Sequence, residues 1–157
     1  MVGGHRIKVI VPIPMDVDGV ANRAAQHPAH VIAPGFKPEF CAVKWGAALG
    51  DSYHDILLVD WTVFQAGIDA EEEGYSAVVI DTVSDSGLPA LRSRLSIPAL
   101  RPGECAFHIA MTLGKKFTVL SGHDGKITQL LNASFWRTRG GKSQEVCVYF
   151  SDENVLV

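Results

Sequence analysis

The sequence holds only three cysteines, Cys41, Cys105 and Cys147, an odd number with no Cys-x-x-Cys spacing. That argues against a disulfide framework or a zinc ribbon and predicts reduced thiols in a cytoplasmic protein. No apolar run approaches the roughly 18 residues needed to span a bilayer, so no membrane partner is expected. The opening residues from Met1 to Arg6 have no signal-peptide layout and lead straight into a strand-like segment. Basic excess is missing too: 14 Lys and Arg stand against 17 Asp and Glu, a formal net charge of -3. With no basic run either, nucleic acid is not expected as a partner. No glycine-rich phosphate motif follows a strand-like segment, and neither HExxH nor GxSxG occurs. His5, His27, His30 and His54 are scattered without metal-ligand spacing. A nucleotide-binding site therefore lacks sequence support, and no metal is expected.

What is present fits one compact domain. A chain of 157 residues with 47% hydrophobic and 20% charged residues is neither disordered nor a coiled coil. Short segments rich in β-branched residues predict strands at 7–13, 40–43, 77–80, 117–120 and 146–150, with a further short piece at 97–100. Several are apolar throughout, as in strands covered on both faces of a parallel sheet. Between them, helical spacing predicts helices over 53–73, 86–95 and 104–113, with Gly74 and Gly114 as stops. The Glu71-Glu72-Glu73 run opposes the helix dipole and is read as a solvated face. Alternating strands and helices predict an α/β fold, an open and mostly parallel sheet with helices on both faces.

In such a sheet, ligands bind outside the carboxyl ends of the strands. Three loops belong to that edge. The first, after the first strand, is Pro12-Ile13-Pro14-Met15-Asp16. The second is Asp81-Thr82-Val83-Ser84-Asp85-Ser86-Gly87, small and polar but for Val83, and it opens into a predicted helix. Its N–H groups and the Ser84 and Ser86 hydroxyls suit a carboxylate or phosphate, while Ser84 or Asp85 equally suits a helix cap. The third is Ser121-Gly122-His123-Asp124-Gly125. There His123 is either a general acid/base, since imidazole titrates near neutrality, or a surface-loop histidine. Cys41, Cys105 and Cys147 fall in predicted strands and helices and read as packed thiols.

The run Glu72-Glu73-Gly74-Tyr75-Ser76-Ala77-Val78-Val79-Ile80-Asp81-Thr82-Val83-Ser84-Asp85-Ser86-Gly87-Leu88 resembles the core signature of the Asp/Glu/hydantoin racemase family. Ser96-Ile97-Pro98-Ala99-Leu100, Pro102-Gly103-Glu104 and Leu113-Gly114-Lys115-Lys116-Phe117-Thr118-Val119-Leu120 continue the resemblance in order, as does the opening Ile7-Lys8-Val9-Ile10-Val11-Pro12. The resemblance implies two similar α/β halves enclosing one cleft, with about 1–115 as first lobe and 116–157 as the start of an incomplete second. It also implies cofactor-independent chemistry at the alpha carbon of an amino acid, a related small carboxylate or a hydantoin, by a homo-oligomer. Two cysteines, one from each half, flank the substrate in such enzymes. One thiolate takes the proton and the other thiol returns one to the opposite face.

Two departures stand out. Thr82 occupies the position of the first cysteine, and a threonine hydroxyl is far too weak an acid to supply a resting base. The second cysteine is expected beyond the end of this chain, and Cys147 does not match it. The catalytic residues implied are then Thr82 and His123, the latter by elimination. Pro14, Ser84, Ser86, Gly87, Ser121 and Gly122 are left to bind substrate. The alternative is a family member that binds a small carboxylate without turning it over.

Overall fold

The structure is a computed structural model that describes residues 4–48, 52–84, 86–113, 117–121 and 146–150. Met1–Pro102 and Gly103–Val157 form two compact units. The first is built on four parallel strands, β1 (His5–Val11), β2 (Phe36–Ala42), β3 (Ala77–Ile80) and β4 (Ala99–Leu100), in the order β2-β1-β3-β4. Helices α1 (Val17–Ala25), α2 (Tyr53–Gly67) and α3 (Leu88–Arg92) supply the crossovers. The chain is the α/β, parallel-sheet protein that its alternating pattern predicts.

Register explains the layering. Ile10 of β1 lies beside Cys41 of β2 and Ile80 of β3, so all three share one face. On that face Ile10, Val78, Ile80 and Ala99 join Val63 of α2 and Leu88 and Leu91 of α3 in one buried cluster. Gly67 makes the close approach there. A Cβ on it would lie 2.9 Å from a Leu91 methyl and 3.0 Å from the Ile10 terminal methyl. Val9 and Phe40 point to the opposite face, where the His27 ring just past α1 packs on Phe40 at 4.9 Å. Helical segments thus cover both faces.

Several predicted boundaries move, each for a local reason. β1 stops at Val11 rather than residue 13 because Pro12 and Pro14 follow. β2 begins at Phe36, four residues early, and takes in Pro38, which an edge strand tolerates. α1 was not foreseen. Its start is capped by Asp16, whose carboxylate accepts from the Gly19 N–H at 2.8 Å. α2 begins where expected, capped by Ser52, but ends at Gly67. Turns then lead to Gly74 at φ +80°, which reverses the chain into β3.

The remaining elements are α4 (Pro102–Leu113), two residues longer at its start than predicted, and the parallel pair β5 (Phe117–Ser121) and β6 (Val146–Phe150). Among the described residues no helix is long and apolar enough to cross a membrane.

At the amino end of the sheet, charge is neutralised locally. The Arg6 guanidinium donates to both oxygens of Glu39, at 3.3 and 2.8 Å, and lies 4.2 Å from the Tyr75 ring centre. Buried Lys8 reaches Glu73 at 2.6 Å. Glu73 thus has a partner from the sheet and is not purely solvated, as the sequence had suggested.

Candidate active site

The strand order reverses direction at β1. The chain steps outward to β2, then crosses back over β1 to β3 and β4. The crevice of such a sheet opens between β1 and β3, outside their carboxyl ends. The loops that leave these strands are 12–16 and 81–87, two of the three singled out in the sequence. Backbone bonds fix their bases: Asp81 N–H donates to Ile10 C=O at 2.8 Å, and Val43 N–H to Val11 C=O at 3.1 Å.

Three hydroxyls of the second loop form a chain. Thr82 Oγ1 lies 3.1 Å from Ser84 Oγ, which lies 2.6 Å from Ser86 Oγ. The Ser84 N–H points at Thr82 Oγ1 at 3.4 Å. Ser86 is buried, while Thr82 and Ser84 are half-buried. Three hydroxyl protons serve two links in this chain, so one O–H remains to donate. With Ser86 at the buried end, donation running Ser86 to Ser84 to Thr82 leaves that proton on Thr82. Each donated bond polarises the next, which strengthens the terminal donor toward an anion.

Ser84 does not cap the helix, contrary to one of the two expectations for it. Helix α3 starts only at Leu88, and its N-cap is Gly87 at φ +67°, without a side-chain cap. Ser84 spends its hydroxyl in the chain instead, and Asp85 lies outside the described residues. Gly87 N–H donates to Asp60 Oδ1 of α2 at 2.8 Å. A Cβ there would come within 2.7 Å of the Asp60 carbonyl oxygen, so the loop rests directly on α2.

Three supports of this loop carried no signal in the sequence analysis. Arg23 of α1 grips Asp81, the first residue of the loop, with Nε 2.5 Å from Oδ2 and Nη2 2.9 Å from Oδ1. The bond to Asp81 raises the Arg23 pKa above its ordinary value. Arg101, directly after β4, donates from Nη1 to Val83 C=O at 3.0 Å. Asp60 is the third. Asp16, three residues before Gly19, could have announced α1, and with it Arg23.

Pro14 stands half-buried in the loop leaving β1. Ser121 is the last residue of β5, in the other compact unit. Gly122 and His123 lie outside the described residues. Cys41 is half-buried against the core, and that burial pushes its thiol pKa up, which disfavours a thiolate. Cys105 is exposed on α4, not packed as expected. Among the described residues no group of three or more His, Cys, Asp or Glu could hold a metal ion.

The parallel α/β fold is one that this chain shares with known proteins. The sequence profile of the Asp/Glu/hydantoin racemase family matches residues 20–133, and the chain belongs to that family. Its fold is similar to two solved structures, allantoin racemase from Klebsiella pneumoniae (TM-score 0.77, 20% identity, 92% of this chain) and allantoin racemase from Pseudomonas fluorescens (TM-score 0.73, 20% identity, 91% of this chain). This chain spans 58% and 60% of the lengths of those two chains. No curated protein matches the sequence.

Proposed function

We propose that this racemase-family chain serves cofactor-independent isomerase chemistry at the carbon alpha to a carboxylate or hydantoin carbonyl. The observation that carries this reading is the Thr82–Ser84–Ser86 hydroxyl chain at the β1/β3 crevice. Removing a proton from such a carbon puts negative charge on the carbonyl oxygens. Preorganised O–H and N–H donors in a half-buried site are what that charge requires. Thr82 is the donor at the tip, Ser84 and Ser86 relay polarisation to it, and Gly87 lets the loop lie close to α2.

Thr82 cannot be the resting base, so in this reading proton transfer falls to His123, with Ser121, Gly122 and Pro14 left to bind substrate. The two-lobed division near residue 115, a cytoplasmic setting and a homo-oligomer belong to the same proposal. Its substrate is a small carboxylate, amino-acid-like acid or hydantoin.

A second reading, binding without turnover, draws on one specific feature. Thr82 Oγ1 faces both the Ser84 hydroxyl and the Ser84 N–H, the posture of a hydrogen-bonding group rather than of a proton acceptor. NMR titration with aspartate, glutamate, 5-methylhydantoin and a phenylmalonate tests the site common to both readings. Shifts centred on the Thr82, Ser84 and Ser86 amides, abolished by Ser84→Ala, are expected. No binding by any of the four would overturn the assignment of the site.

A further inference from the structure

We infer that Arg101 is a positioning residue that sets the Thr82 hydroxyl through a single peptide plane. The inference rests on the proposed site, and its basis lies in the connectivity of three residues. Arg101 follows β4, is 2% exposed, and donates from Nη1 to Val83 C=O at 3.0 Å. That carbonyl belongs to the same peptide unit as the Ser84 N–H. The unit is planar, and no cis peptide bond occurs among the described residues. In a trans unit, C=O and N–H point in opposite directions. A guanidinium that pins the Val83 oxygen therefore aims the Ser84 N–H the other way, where Thr82 Oγ1 lies at 3.4 Å.

The consequence is chemical as well as geometric. A cation on the carbonyl oxygen polarises the peptide and makes its N–H a better donor. That N–H occupies a lone pair on Thr82 Oγ1 and biases the hydroxyl proton outward, toward an anion in the crevice. The Val83 side chain is 46% exposed and contributes little packing of its own to hold this peptide. The orientation of the loop backbone at this point is set from β4. Arginine suits the task because its planar guanidinium presents N–H donors in a fixed fork.

The test compares the full chain with Arg101→Met and Arg101→Lys by amide hydrogen exchange and by NMR titration with 5-methylhydantoin. In Arg101→Met, the Ser84 amide should exchange about tenfold faster, the scale of one lost charge-assisted hydrogen bond. The amides of Val9 and Val79, in the paired strands β1 and β3, should keep their protection. Arg101→Lys retains a charged donor and should recover most of the loss, in exchange and in affinity. Should Arg101→Met fail to fold, Arg101→Gln, with an uncharged NH2 donor, takes its place in the comparison. Unchanged Ser84 exchange, or an equal rise at Val79, would overturn the inference. Equal binding of 5-methylhydantoin by wild type and Ser84→Ala would instead overturn the reading of the site and leave the role of Arg101 in the loop to the exchange data.

Discussion

Arg23 holds Asp81 with two nitrogens on two oxygens, tying the helix after β1 to the residue that follows β3. The Asp81 side chain is only 6% exposed and has Arg23 as its paired cation, whereas Arg23 remains 38% exposed. Losing one member of a fully buried pair costs about 3–5 kcal/mol, and exposure of the arginine reduces that. Arg23→Gln should therefore lower stability by about 2 kcal/mol in urea denaturation. Arg23→Lys should recover only part, because an ammonium cannot match the two-point grip.

Gly87 carries two separate demands, a positive φ and a contact that leaves no room for Cβ. Gly87→Ala should cost about 2–3 kcal/mol, since the backbone of α2 cannot yield as a flexible side chain would. A drop in thermal midpoint, with loss of the Gly87 amide's protection, is the expected signature.

Acid should weaken the amino end of the sheet through Glu39. Its hydrogen bond from Arg6, with a second from Lys37, lowers its pKa from the ordinary 4.5 to about 2. A carboxylate depressed in the folded state stabilises fully above its unfolded pKa and loses that contribution as pH falls through the folded value. Stability attributable to Glu39 should thus be complete above about pH 4.5 and fade toward pH 2. Urea midpoints measured across that range should show a shallower acid slope in Glu39→Gln than in the wild type.

At the site itself, Thr82→Val keeps the branched shape and removes the hydroxyl. Affinity for small carboxylates or hydantoins should fall about tenfold, the loss of one hydrogen bond to a charged acceptor, with little change in stability. Thr82→Cys supplies an ionisable thiol at the same place and should raise the rate of alpha-proton exchange if the partner acid is present. The affinity is read by NMR titration, and the exchange rate by proton NMR in heavy water.

How much of this was legible in the sequence depended on where the free energy lies. β3 was readable to the residue because Ala-Val-Val-Ile is buried and β-branched on a central strand. The start of β2 was hidden by Lys37, Pro38 and Glu39, a pattern that only an edge position allows. Helix α1 has no buried residue and carries no large apolar side chain beyond two valines, and its value lies in the Arg23 side chain it delivers. The hydroxyl loop was visible as a run of small polar residues, but its internal bonding was not. Whether Ser84 caps a helix or links Thr82 to Ser86 turns on Gly87 adopting a left-handed conformation against α2. Arg101 gave no cue at all, because its meaning lies in a contact with the neighbouring strand's loop.

The most direct measurement is deuterium incorporation at the alpha carbon, followed by NMR in heavy water, for aspartate, glutamate, 5-methylhydantoin and a phenylmalonate. The account predicts enzyme-dependent exchange into at least one of them, strongly reduced in Ser84→Ala. Exchange that Ser84→Ala leaves untouched, or no exchange with any of the four, would contradict the claim that the Thr82–Ser84–Ser86 chain serves chemistry at that carbon.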